Sequence, residues 1–213
     1  MPTDGDAPQA RQSFGKGRLE AFSDGVFAIA ITLLVLDIVV HPPGTPLEQV
    51  LNAWPAYVTY VISFLTIGAA WIEHTALTDR LERSDSVFLR LNLLLLLVVA
   101  FLPFPTRLLA EGQNHLDAER VAVTMYGLTL LIIHLLGFAL DVYARREGLF
   151  APRGESSELE REERKLLPAV IGYLIAIVIG LFFPRAAVVI YLGLAVYLVV
   201  PFRDVAQLLF PRR

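Results

Sequence analysis

RLEAFSDGVFAIAITLLVLDIVV, residues 18–40, decides the fold. From Gly25 to Leu36 it is apolar but for Thr32, and Asp24 and Asp37 stand near its two ends. Twenty-three residues in α-helical form span roughly 35 Å, enough to cross a hydrocarbon core of about 30 Å. The same reading applies to most of the chain. Of 213 residues, 55% are hydrophobic and 18% charged, and the mean hydropathy is +0.59. A water-facing surface of ordinary charge density cannot be built from this composition, so lipid is the solvent for much of it.

Five further apolar runs follow. Trp54–Trp71 is uncharged and is followed by Glu73 and His74. Val87–Thr106 opens with Arg90 and Asn92 and closes on Pro103 and Pro105, which are expected to kink or end it. Val121–Leu140 holds His134 as its one ionisable group. Leu166–Pro184 and Ala186–Phe202 flank Pro184-Arg185 as a tight helical hairpin. The predicted fold class is therefore an all-α integral membrane protein with six transmembrane helices per subunit. The expected organisation is a polar tail over 1–17, a six-helix domain over 18–207 with a charged cytoplasmic linker at 141–165, and a tail over 208–213. Residues 41–46, rich in proline, read as a short exposed loop. Within the linker, Ser156–Lys165 mixes charge signs at helical spacing and reads equally as a surface helix or a solvated connection.

Orientation follows from the basic residues, which remain on the cytoplasmic side of short loops. Fifteen of the eighteen Lys and Arg fall in the tails and in the second-to-third and fourth-to-fifth connections; Arg107, Arg120 and Arg185 fall in the opposite set. Both termini are expected to be cytoplasmic, in a multi-pass protein of the cell membrane.

Several function classes are excluded or disfavoured. With a net charge of −3 and no basic block or finger motif, no nucleic acid is expected as a partner. Cysteine is absent, which removes disulfides and thiolate metal sites. His41 and His115 are placed in external loops, and no metal site and no cofactor are assigned. No Gly-rich phosphate loop, HExxH or GxSxG motif occurs, and Ser63 and Ser86 have no base at a fixed offset, so no enzyme is expected.

Ionisable residues inside spans are functional hypotheses by default. The alternating topology brings Ser23, Asp24, Trp71, His74 and Asn92 to one membrane level, near Arg18. There they are expected to form a polar cluster that satisfies Asp24, with Trp71 as a packing lid. Asp24 reads alternatively as an interfacial carboxylate at a helix start. His134 is expected to be buried and hydrogen-bonded to a neighbouring helix. Ile29, Leu33 and Leu36, at i, i+4 and i+7, share one helix face. Such a stripe by itself is more often packing than pore.

The motif Arg18-Leu19-Glu20-Ala21-Phe22-Ser23-Asp24-Gly25 resembles the signature of the transmembrane protein 175 family of potassium channels, in which an Arg followed by Phe-Ser-Asp opens the first helix. The likeness continues in Trp71-Ile72-Glu73-His74, in Leu91-Asn92-Leu93-Leu94 and in Pro103-Phe104-Pro105-Thr106. Four local matches in order cover the first three spans; the last three match only as apolar helices. Thr75 departs from the pattern, since many relatives carry a second histidine there. The resemblance implies a homotetramer of one six-helix unit per chain, with the first helix lining a central pore through which potassium ions pass and no TVGYG filter. It implies that Ile29, five residues after the motif aspartate, is the constriction, with Thr32, Leu33 and Leu36 beside or above it. It further implies that Arg18, Phe22, Ser23 and Asp24 hold that helix to its neighbours. The competing reading is a small secondary transporter in which Asp24, Asp37 and His134 carry protons or bind a cation.

Overall fold

In a computed structural model of the chain, described for residues 15–39, 43–111, 116–151 and 156–200, eight α-helices account for nearly all of the structure. The tails expected at 1–17 and 208–213 lie almost wholly outside the described residues, as do His41 and His115.

Helix α1 runs Lys16–Leu33 and continues as a 3-10 turn over Leu34–Asp37, so the first span is α-helical only to Leu33. The loop expected over 41–46 is followed by a helix that was not expected, α2 (Pro46–Asn52). Thr45 and Glu48 close a capping box: Glu48 N donates to Thr45 Oγ1 at 3.4 Å, and Thr45 N donates to Glu48 Oε2 at 2.8 Å. Pro46 occupies the first helical position, where its missing amide costs nothing. Leu47 and Leu51 are both exposed.

Helix α3 spans Trp54–Arg80 and α4 spans Ser86–Phe101. Asp85 starts α4 by accepting from the backbone amides of Val87 and Phe88 at 3.1 and 2.9 Å. The third span is not one helix to Thr106. It stops at Phe101, and α5 (Pro103–Glu111) begins again after Leu102. The prolines remove the donors that would carry the ladder through. Helix α6, Leu116–Arg146, overruns the expected span at both ends, so the charged linker does not start at Asp141. Gly148, at φ +60°, ends the run: its N–H bonds Arg145 O at 3.1 Å and the Leu149 N–H bonds Ala144 O at 2.8 Å, a left-handed cap open to glycine at little cost. Helices α7 (Ser156–Phe182) and α8 (Pro184–Val199) turn at Phe183 rather than at Pro184-Arg185, because Pro184 is the first residue of α8.

Four of these helical stretches, Lys16–Asp37, Trp54–Arg80, Ser86–Glu111 and Leu116–Arg146, are long and apolar enough to cross a membrane. Helix α6 packs on α3, α4, α5, α7 and α8, whereas α1 rests on α3 and α4. One end of the bundle is tied by an antiparallel bridge between Leu81 and Phe150, with Glu82 N donating to Leu149 O at 2.9 Å and Ala151 N to Arg80 O at 3.1 Å.

Candidate functional site

The first helix has two unlike faces. Leu19, Ser23, Phe27, Ala30 and Leu34 are buried against α3 and α4, at spacings of three and four that keep them in one stripe. Turned away from that stripe are Ile29 at 61% exposure, Leu33 at 42% and Leu36 at 70%. An α-helix would offset Leu36 from Leu33 by about 60°, but the 3-10 turn advances about 120° per residue, so side chains three apart eclipse. Leu36 therefore stacks nearly in line with Leu33. Thr32 is exposed beside them, its Oγ1 donating to Ile29 O at 2.9 Å.

The polar residues expected as one cluster fall into two groups. Asn92 Nδ2 donates to Ser23 Oγ at 3.0 Å, and His74 Nε2 lies 2.8 Å from Asn92 Oδ1. With Asn92 Nδ2 donating, its Oδ1 is left to accept, which puts the imidazole proton on Nε2. All three residues are at most 5% exposed, so this chain links α1, α4 and α3 through the core. Asp24 takes no part in it. Its Oδ1 accepts from Trp71 Nε1 at 2.8 Å on the exposed side of α1. The helix rotation of about 100° between Ser23 and Asp24 explains the split, since only one of two adjacent residues can face the core. Trp71 is thus a hydrogen-bond donor and not only a lid. Arg18 and Phe22 are exposed on the first turns of α1.

Two residues not anticipated belong to the same end of the bundle. Phe27 packs its ring on His74 with centroids 5.5 Å apart; the signal available was its place four residues after Ser23. Asp141, expected in a solvated linker, is 4% exposed and bridges Arg80 at 2.9 Å and Arg145 at 2.6 Å. The Arg80 guanidinium also lies 4.8 Å from the Phe150 ring centre. Asp141 and Arg145 at i, i+4 were legible as a pair, but Arg80, sixty-one residues away, was not.

His134 is buried, yet its Nδ1 bonds Leu130 O at 2.9 Å within its own helix, and what it offers a neighbouring helix is a ring contact with Tyr173 at 5.0 Å. Ser63 Oγ lies 2.9 Å from Thr106 Oγ1 and 2.8 Å from the Tyr126 hydroxyl, in the core. Ser86 is the first residue of α4. Asp37 closes the 3-10 turn, about 20 Å along the helix from Asp24. The structure does not bring Asp24, Asp37 and His134 together. Among the described residues no group of three His, Asp or Glu could hold a metal ion.

The exposed apolar stripe and the buried polar stripe are found on the part of the chain that known proteins match. Residues 18–103 match the family model described as the endosomal/lysosomal potassium channel TMEM175. A protein named potassium channel from Streptomyces collinus is 42% identical over 174 residues, covering 80% of this chain and 84% of that one. The human protein named endosomal/lysosomal proton channel TMEM175 is 31% identical over 129 residues, 54% of this chain and 26% of that one. The crystal structure of a lysosomal potassium-selective channel TMEM175 homologue from Chamaesiphon minutus is similar with a TM-score of 0.73 at 34% identity, over 86% of this chain and 95% of that one.

Proposed function

This chain belongs to the TMEM175 family, and on that premise we propose that it is a potassium-favouring channel of the cell membrane, conducting passively through an apolar constriction on α1. The observation that carries the reading is the exposed, aligned stripe of Ile29, Leu33 and Leu36 on a helix whose opposite face is fully packed. Four copies arranged about an axis turn that stripe into three stacked rings. Each subunit contributes six crossings, the apolar helices Pro168–Phe182 and Pro184–Val199 completing the four longer ones. Both termini are cytoplasmic, as the distribution of Lys and Arg requires. Residues 18–207 form the channel domain, between the polar tails 1–17 and 208–213.

An apolar ring holds no ligand to replace a hydration shell. It acts by width, dewetting when narrow and passing a partly dehydrated ion when wider. Potassium sheds water more readily than sodium and is favoured without a carbonyl filter. Thr32, whose proton is committed to Ile29 O, keeps its lone pairs for the passing cation. Arg18, Phe22 and Asp24, with the Ser23–Asn92–His74 chain and Trp71, hold the pore helix in register and bind no permeating ion.

Flux from proteoliposomes under opposed potassium and sodium gradients tests this reading. Passive flux that reverses with imposed potential, and that favours potassium, is expected. Ile29→Ala and Ile29→Asn should both raise flux and weaken the preference. If both variants assemble as tetramers with unchanged flux and selectivity, the constriction is elsewhere. Slow, saturating, proton-coupled uptake would instead establish a transporter.

A further inference from the structure

A second apolar surface, far from α1, runs down the outside of α6. It is a groove of about 530 Å³, open along its length, with Val121, Met125, Leu128 and Ile132 along its floor and Leu181 of α7 as its wall. Those four positions recur at spacings of three and four, so they form one continuous strip. From Arg120 to Ile132 the strip is about 18 Å long, close to half of a hydrocarbon core of about 30 Å. That is the depth of one leaflet.

The groove has a polar end and an apolar end. Arg120 stands at its mouth, in the first turns of α6, with its guanidinium 3.5 Å from an Asp117 carboxylate that is itself 96% exposed. This contact is loose beside the 2.6 and 2.9 Å pairs around Asp141, and an exposed pair of this kind contributes little. One helical turn below Arg120 is Thr124. Thr59, Thr66, Thr106 and Thr129 all turn their hydroxyls onto the carbonyl four residues back at 2.8–2.9 Å. Thr124 also lines the groove, and its hydroxyl is turned inward, buried without a partner. A change of its side-chain rotamer offers it a partner in the groove.

We propose that this groove binds one glycerophospholipid per subunit, with the phosphodiester on Arg120, an ester carbonyl at Thr124 and one acyl chain along the α6 strip. Each part of the lipid meets a matching group at the matching depth: a cation at the interface, a hydroxyl one turn deeper, then apolar side chains to mid-bilayer. The site rests on the membrane setting of the chain and not on its conducting ions.

Native mass spectrometry of the protein in a phosphate-free detergent, with dioleoyl-phosphatidylglycerol added, tests this. One lipid retained per subunit is expected. Arg120→Gln should lower retention about tenfold, the loss of one charge-assisted phosphate contact, and Leu128→Trp, which fills the groove, should abolish it. Dioleoylglycerol, lacking the phosphate, should bind about as weakly as the Arg120→Gln case, and glycerol 3-phosphate should not displace the lipid. Three outcomes overturn the site: unchanged retention in either variant, displacement by glycerol 3-phosphate, or a changed subunit number for Leu128→Trp, which would make this face a contact between copies. Potassium flux in the same variants separates this failure from failure of the channel reading, since neither residue is on α1.

Discussion

Helices α1, α3 and α4 are held to one another differently from α6, α7 and α8. In the first group buried side chains hydrogen-bond across helices, Ser23 to Asn92 to His74. In the second, helices meet at glycine. A Cβ on Gly127 would drive into Tyr191 and come within 2.7 Å of Ile177 Cγ1, and one on Gly172 would lie 2.6 Å from Leu194 Cδ2. Lipid tails are as apolar as the side chains they compete with, so helices in a membrane associate through polar contacts or through close approach. This chain leans on polar contacts on the first side and on close approach on the second, where the Tyr191 hydroxyl also donates to Val123 O at 3.2 Å. The hydrogen-bonded chain fixes the rotation of α1 and so the direction in which Ile29 points. Tyr126, Tyr173 and Tyr191 are fully buried and fill the space between α6, α7 and α8.

Among the contacts between described residues that join the two groups, the ion pair between Asp141 of α6 and Arg80 of α3 is the charged one, and breaking it should have the largest effect. Asp141→Ala leaves two partly buried guanidinium groups without their carboxylate, a loss of about 3 kcal/mol. Thermal unfolding in detergent should fall to match, and an unchanged midpoint would mean the bundle ends are held by the backbone bridge alone. Gly127→Ala comes next, at about 2 kcal/mol of overpacking strain. Gly25→Ala, where nothing lies within 4 Å of the added carbon, serves as its comparison and should leave the subunit's melting unchanged. Equal shifts in the two would refute the idea that close approach holds the rear helices.

Asn92→Leu should cost about 1–2 kcal/mol, because Ser23 and His74 are both left buried and unpaired. The double variant Asn92→Leu/His74→Leu should be less damaging than the sum of the singles, a coupling that a double-mutant cycle measures directly. Strict additivity would sever the proposed chain. The smallest effect belongs to Trp71→Phe, which removes only the exposed bond to Asp24. Within one subunit it should cost less than about 1 kcal/mol. A larger loss seen only in the assembled protein would place Trp71 and Asp24 under a neighbouring copy.

Much of this was open to reading before any coordinates. The apolar runs announce their helices because a membrane tolerates few other backbones. The spacing of Ile29 and Leu33 sets them on one face by helix geometry alone. The capping box at Thr45 and Glu48 is a local pattern too, yet residues 41–46 read as loop and the helix that follows was not expected. What proved illegible was pairing between distant segments. Asp24 and Ser23 are neighbours in sequence, yet one meets Trp71 and the other Asn92, and the choice depends on how α1 is rotated against α3 and α4.

The amino-acid sequence by itself determined that the chain is helical and apolar enough for a membrane, and that Ile29 and Leu33 share a face of α1, since each follows from local composition and a fixed helical period. Tertiary structure alone decided that Asp141 is a buried joint and not part of a linker, that His134 turns to its own helix, and that a 3-10 turn brings Leu36 into line with Leu33. These outcomes depend on distances and rotations between elements that no local periodicity encodes.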